Sequence, residues 1–363
     1  MFKPNFTITA NLLTYISRIE SAKALIENAP LVPAWEANFR DDALTRTVHF
    51  GTKIEGNDLT KEQAQQVVRM PDVGDTQTVI QKTGILARDR DIQEVINYRN
   101  VIGWIDSQQI LQNKQVLVLD TLQTLHRLTM YKLIDEQHIG AFRDKQVIVR
   151  SATNGDIVFR PPVSVEIPFL VDDFFDWIHS PETAQLHPIF QAAITHYQLV
   201  YIHPFIEGNG RTARAMATLV LYTNDYDFKR FFSIEQYFDT DVEKYYQALL
   251  SVQQSPEQDM TYWLEYFCYG LALEIEKIKN QVLKLSKDLK LKQQLGEQVA
   301  LSERQILLLE LLHNQGTISS QDAQAVLPNV SVDTILRDLK DLIEKKVIMK
   351  EGVTKGVTYR LTE

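Results

Sequence analysis

The chain has 363 residues, of which 44% are apolar and 23% charged, with a net charge of −9 and a single cysteine, Cys268. This composition suits two or three folded domains and disfavours a disordered chain, and the acidic balance argues against nucleic-acid binding over the whole surface. One cysteine excludes an intramolecular disulfide and a thiolate-clustered zinc site and suits a reducing cytoplasm; no basic-then-apolar leader and no run of eighteen apolar residues is present, so neither secretion nor a membrane span is expected.

The prolines are unevenly spread. None lies between Pro71 and Pro161, between Pro204 and Pro256, or between Pro256 and Pro328, which leaves room for long helices, so the expected fold class is mainly α. Residues 1–75 read as an N-terminal segment of short helices. Within it, Gly56 or Asn57 marks a left-handed helix end and places Glu55 in the last turn, where a carboxylate opposes the helix dipole by roughly 0.3–1 kcal/mol and calls for a cationic partner. Thr60 with Gln63 forms a capping box that opens the next helix.

Residues 76–255 form the longest helical block. One interruption is β-rich: Gln146–Arg150 and Asp156–Arg160 bracket Asn154-Gly155, a hairpin pattern that Pro161-Pro162 ends, and a lone hairpin has to lie as a flap on the helical body. Residues 187–202 read as a buried helix that Pro204 stops. There follows His203-Pro-Phe-Ile-Glu207-Gly208-Asn209-Gly210-Arg211-Thr-Ala-Arg214 and a further helix. Gly208 and Gly210 allow successive amides to converge on one anion at that helix's N-terminus. Arg211 and Arg214, three apart, reach the same polyanion, which fits a di- or triphosphate. Glu207 beside such charge makes sense with a bridging Mg²⁺, and His203 is the candidate general base. Singly, each has an ordinary reading: a capping histidine, a weak G-x-G turn, a Glu207–Arg211 ion pair.

Residues 256–295 read as a connecting helix with a lysine-rich second half, and Gly296 marks its end. Residues 296–363 read as three helices and a β-hairpin, opened by a Ser302/Gln305 capping box, a pattern that looks like a winged helix-turn-helix. This tail carries eight Lys and Arg against ten Asp and Glu, a local balance of −2. Contact with protein is therefore at least as well supported as contact with DNA.

Residues 203–214, HPFIEGNGRTAR, resemble the Fic family signature His-Pro-Phe-any-Asp/Glu-Gly-Asn-Gly-Arg-any-any-Arg at every specified position. Leu125-His126-Arg127, Gly140-Ala-Phe-Arg143 and Tyr245-Tyr246-Gln-Ala-Leu249 resemble further landmarks of that family, over roughly residues 45–255. The resemblance implies a Fic-type helical bundle with a flap and protein adenylyl transfer, in which a target Ser, Thr or Tyr hydroxyl attacks the α-phosphate of ATP. It implies His203 as base, Glu207 as Mg²⁺ ligand, and Asn209 with the amides of Gly208 and Gly210 on phosphate oxygens. Arg211 and Arg214 would take the β and γ end, and Tyr245 or Tyr246 the nucleoside. Val147, Ile148 and Val149 of the flap would dock the target by strand addition. The family's kinase-like branch carries Lys in place of Gly210. Removal of AMP by water at the same site is an alternative activity, and a nucleotide-sensing DNA-binding regulator an alternative function. The target, and whether the chain forms a homo-oligomer, stay open. Thr52-Lys-Ile-Glu55-Gly56 further resembles the inhibitory motif Ser/Thr-any-any-any-Glu-Gly/Asn, in which Glu55 would pair with Arg214. The hydroxyl is displaced, however: Gly51 stands four residues before Glu55 and Thr52 only three.

Overall fold

A computed structural model describes residues 2–70, 76–110, 116–150, 157–294, 301–328, 330–345, 347–352 and 357–362. Two compact units divide it, Met1–Lys284 and Leu285–Glu363. The first takes in the N-terminal segment, the helical block and most of the connecting helix. Gly296 and the Asn154-Gly155 turn lie outside the described residues.

The first unit runs α1 (Ala10–Glu27), α2 (Pro33–Lys53), α3 (Lys61–Arg69), α4 (Thr76–Thr83), α5 (Asp89–Ile110) and α6 (Leu119–Met130). After these come the flap strands β1 (Val149–Arg150) and β2 (Ile157–Phe159). The unit continues through α7 (Ile167–Ile178), α8 (Pro181–Ala184), α9 (Pro188–Ile202), α10 (Asn209–Tyr222), α11 (Ile234–Thr240), α12 (Val242–Gln254) and α13 (Thr261–Gln294). Local signals set many of the ends. Pro33 and Pro188 stand in the first turns of α2 and α9, where the missing N–H has no intrahelical acceptor to lose. The Thr60/Gln63 box opens α3 with both of its reciprocal bonds.

At the centre α9 packs on α10, and α10 touches α5 and α6. Nearly every residue of α9 and α10 is buried, so polar groups on these helices must find protein partners or face a ligand. Trp263 donates its indole N–H to Ala193 O at 2.8 Å, which ties α13 to α9 within an aromatic cluster of His196, Phe238, Tyr245 and Trp263. The helix that leads to Glu55, α2, is braced over its middle. Arg46 pairs with the buried Glu274 of α13, with Asp42 at 2.7 Å and with Phe231 O at 2.9 Å.

The flap ladder is shorter than the sequence pattern suggests. Val147 and Ile148 precede β1, and of the three residues read as a docking strand only Val149 is in it. The reason lies opposite. Pro161 and Pro162 have no N–H to donate to the ladder, and their carbonyls accept from side chains. Gln146 Nε2 donates to Pro161 O at 2.9 Å and Arg143 Nη2 to Pro162 O at 2.6 Å.

The second unit holds α14 (Glu303–Gln315), β3 (Thr317–Ile318), α15 (Ser320–Val326), α16 (Val332–Glu344), β4 (Ile348–Glu351) and β5 (Thr358–Leu361). Its core is Leu308, Leu312, Ile335, Leu339, Leu342 and Ile348. The sheet order is β3-β5-β4, all antiparallel. β3 was not anticipated, because two residues are too few to show alternation.

Removing Arg46 would leave Glu274 buried and unpaired, at a cost of about 3–5 kcal/mol. Arg46→Ala is therefore expected to lower the midpoint of the first unit's unfolding in a urea titration, and Arg46→Ala with Glu274→Leu to recover most of the loss.

Candidate functional site

The site is a sharp loop between two buried helices. His203 ends α9 in a left-handed conformation, φ +51°, which costs a residue with a Cβ about 1–3 kcal/mol and has to be held by its surroundings. Arg143 holds it: Nε donates to His203 O at 2.8 Å, and its backbone N–H to Pro204 O at 2.9 Å. The same guanidinium reaches Lys145 O and Pro162 O, so one side chain joins the flap base to the histidine turn. Further on, Asn209 Nδ2 donates to Phe205 O and Asn209 Oδ1 accepts from Phe205 N–H, each at 2.9 Å. The side chain of Asn209 thus closes the loop, which leaves only its backbone amide to face an anion. Gly208 adopts φ +77°, and a Cβ there would overlap Met130.

His126 fastens the loop from below. Its ring stacks on Phe205 with centroids 3.8 Å apart. Nδ1 accepts from Gly140 N–H at 2.8 Å, so the proton of the neutral ring sits on Nε2, which donates to Glu207 O at 3.0 Å. Burial pushes its pKa down to about 4, which keeps this tautomer at neutral pH. His203 is also held neutral. Burial lowers its pKa, with Arg143 adding to the effect, while the Val200 carbonyl and Glu55 act the other way. Its Nδ1 lies 3.1 Å from Val200 O. A carbonyl can only accept, so Nδ1 carries the proton and Nε2 keeps a lone pair for a base's work.

α10 starts at Gly208 with no side-chain cap, so its first amides are unsatisfied within the helix, and the positive end of the dipole favours an anion. Glu55 stands there. It follows α2, whose end is closed by Gly56 at φ +90° with bonds from Gly56 N–H to Lys53 O and from Asn57 N–H to Thr52 O. A Cβ at Gly210 would overlap Glu55 Oε1, so this carboxylate lies directly on the first turn of α10. Arg214 Nη2 donates to Glu55 Oε1 and to Gly51 O, both at 2.8 Å. Burial pushes the Glu55 carboxyl up, but Arg214 and then Arg211 outweigh it and hold it below its ordinary value.

The displaced hydroxyl also has a physical account. Thr52 Oγ1 donates back to Val48 O and His49 O and does not touch Arg214. At position 51 any Cβ would overlap the Tyr98 ring. The glycine admits that ring, and its buried carbonyl receives Arg214. Tyr98 in turn donates to the buried Glu235 at 3.3 Å.

The other charges are also paired, but not with each other. Glu207 pairs with Arg90, and Arg211 Nη1 lies 3.2 Å from Glu94 Oε1; the helix-spaced Glu207–Arg211 pair does not form. Nε and Nη1 of Arg211 and Nε of Arg214 are buried without hydrogen-bond partners, Nη1 facing Glu94 as an ion pair only. The tyrosine pair separates. Tyr245 is 1% exposed, with its hydroxyl 2.9 Å from His196 Nε2, whereas Tyr246 is 39% exposed.

Residues 116–221 match the Fic/DOC family, and residues 304–352 match the DeoR-like helix-turn-helix domain. The chain carries a Fic domain. Among curated proteins it is 28% identical to the protein adenylyltransferase Fic of Drosophila willistoni over 223 residues, 60% of this chain and 41% of that protein. The protein of the same name from Nematostella vectensis is 28% identical over 183 residues, 50% of this chain and 38% of the relative. The matches thus span about two fifths of these relatives' length. Among solved structures, a Fic family protein from Desulfovibrio desulfuricans G20 aligns with a TM-score of 0.66 at 25% identity over 99% of this chain and 98% of that one. Residues 134–508 of Caenorhabditis elegans Fic-1 share the fold, with a TM-score of 0.53 at 21% identity over 76% of this chain and 73% of that one.

Of the residues that build the Fic loop's surroundings, Arg90, Glu94, Tyr98, His126 and Arg143 were given no role by the sequence. His126 and Arg143 stand in landmark stretches, but nothing in local spacing links them to residues 203–214.

The depressed Glu55 pKa fixes a pH signature. A carboxyl whose folded pKa lies below its ordinary value, 4.5, contributes stability above that pH and loses it as pH falls through the folded value. Glu55→Gln is therefore expected to be less stable than wild type at pH 7. The difference in melting temperature should shrink as pH drops below 4.5.

Proposed function

We propose that this protein is an adenylyltransferase restrained by its own Glu55. The observation that carries the reading is the placement of the Glu55 carboxylate on the uncapped first turn of α10, bonded to Arg214. A phosphate group of a nucleotide would use the same amides and the same guanidinium, so carboxylate and nucleotide compete for one place.

In the proposed reaction His203 Nε2 takes the proton of a target hydroxyl as the oxygen attacks the α-phosphate of ATP. The new bond joins that oxygen to phosphorus. The bond from the α-phosphorus to the bridging oxygen breaks, and pyrophosphate leaves with the electron pair. The amides of Gly208, Asn209 and Gly210 stabilise charge on the phosphate oxygens, Arg211 and Arg214 hold the β and γ end, and Tyr246 borders the nucleoside. Gly210 suits the restrained state as well as the chemistry, since a Cβ there would overlap Glu55 Oε1 and oblige that carboxylate to shift.

Glu207 fits a Mg²⁺ ligand in one respect that can be checked. Its side chain is 41% exposed beside the loop, and Mg²⁺ is commonly held by one or two carboxylates together with substrate phosphates. Among the described residues no group of three or more His, Cys, Asp or Glu side chains forms a complete site. Once bound, such an ion would neutralise phosphate charge.

Target docking at the flap rests on its partly paired edge and on Arg143, which joins the flap base to the histidine turn. For the C-terminal domain we favour a protein partner. On α16 the exposed Val332 and Leu336 lie one turn apart beside Asp333, and DNA phosphates call for a positive face.

Two outcomes test the reading. With α-phosphate-labelled ATP, Mg²⁺ and cell lysate, Glu55→Gly is expected to label itself or a target at least about tenfold more than wild type, a 1.4 kcal/mol bias. Glu55→Gly with His203→Ala should retain no label, and equal labelling by wild type and Glu55→Gly would sink the restraint. The base must be neutral to act, and removing Glu55 deletes an influence that raises the His203 pKa. The acid limb of the Glu55→Gly rate profile is therefore expected below pH 6.5, the ordinary value for histidine.

A further inference from the structure

The Glu207 carboxylate already has a partner. Its Oε1 is held by Nη2 of Arg90, a residue in the first turn of α5. Arg90 is itself anchored from behind: its Nε donates to Glu94 Oε1 at 3.3 Å. Glu94 is fixed. Its side chain is 6% exposed, Oε2 accepts from Asn57 Nδ2 at 2.9 Å, and Oε1 also faces Arg211 at 3.2 Å. The charges thus alternate in one row, Glu207, Arg90, Glu94, Arg211. Glu94 and Arg211 form a buried inner pair, and Arg90 and Glu207 an outer pair open to solvent, 45% and 41% exposed.

We propose that Arg90 is the resident counter-ion of Glu207, a positioning residue that keeps this carboxylate aimed at the loop and sets its affinity for a divalent cation. The inference rests on the reading of Glu207 as a cation ligand. The guanidinium holds Oε1, so a cation at Glu207 either displaces Arg90 or binds the other oxygen beside that positive charge. Because Glu94 retains Arg90 through Nε, a displaced guanidinium stays beside the site and its charge continues to disfavour a second cation. Metal entry alone is therefore weak, and a nucleotide's phosphates, which add negative charge next to Arg90 and Arg211, make the exchange favourable. Both partners of the outer pair are solvated, so the effect is that of an exposed ion pair, about two- to fivefold in affinity.

Mn²⁺ binding followed by electron paramagnetic resonance tests this without turnover. The protein is the full chain carrying Glu55→Gly, titrated with and without a non-hydrolysable ATP analogue. Adding Arg90→Ala or Arg90→Gln is expected to tighten Mn²⁺ about two- to fivefold, most visibly without nucleotide. Arg88→Ala makes the same charge change two residues away on a side chain paired with Asp91 and Asp58, and is expected to change affinity less. Equal affinities for the parent and both Arg90 variants, or equal tightening by Arg88→Ala, overturn the role of Arg90 while leaving Glu207 a ligand. Mn²⁺ affinity unchanged by Glu207→Gln overturns the reading of Glu207 itself, and the inference with it.

Discussion

The placement of one carboxylate on the N-terminus of one helix constrains much of the first unit. For Glu55 to lie on the opening turn of α10 and reach Arg214 at 2.8 Å, α2 must stop at one residue and arrive at one angle. Gly56 sets the stop by turning the chain left-handed. The angle is set at a distance, by Arg46 between α2, Asp42, Glu274 and the Phe231 carbonyl. A helix end is normally a poor place for a carboxylate. Here a neighbouring helix dipole and a buried guanidinium more than offset that penalty, so the feature that looks unfavourable within α2 is favourable in the fold.

The loop that faces Glu55 is rigid because each of its awkward conformations has a dedicated holder. His203 in the left-handed region is held by Arg143, the span from Phe205 to Asn209 by the two bonds of Asn209, and the Glu207 carbonyl by His126. These holders come from three places in the chain, which leaves the loop little freedom. A phosphate site depends on such preorganisation, since amides that must reorganise lose much of their electrostatic advantage. Charge is handled likewise. Arg214 and Arg211 keep carboxylate partners, Glu55 and Glu94, which lets two guanidinium groups remain buried without a ligand.

Glycines mark the close approaches. Gly51 admits the Tyr98 ring and offers Arg214 a carbonyl, and Gly210 admits the Glu55 carboxylate. Both stand in helical backbone, so neither is required by a turn; each is required by what another part of the chain brings against it. At Gly51, where the chain departs from the motif it resembles, Arg214 is met by a backbone carbonyl.

Much of this protein was legible in its sequence. Proline spacing and caps gave the helices, and residues 203–214 gave the loop with its histidine, glycines and arginines, because those features depend on neighbours a few residues away. Even Glu55 drew notice, since its conflict with its own helix dipole is local. The partners of these groups were decided only by tertiary structure. Arg90 and Glu94 reach the loop across more than a hundred residues, Tyr245 and Tyr246 part into core and surface, Asn209 turns inward, and the flap ladder shortens where two prolines face it. Local spacing records which groups are present and how their own segment folds. Which charge meets which depends on packing between distant segments, and no period or motif within one segment encodes that.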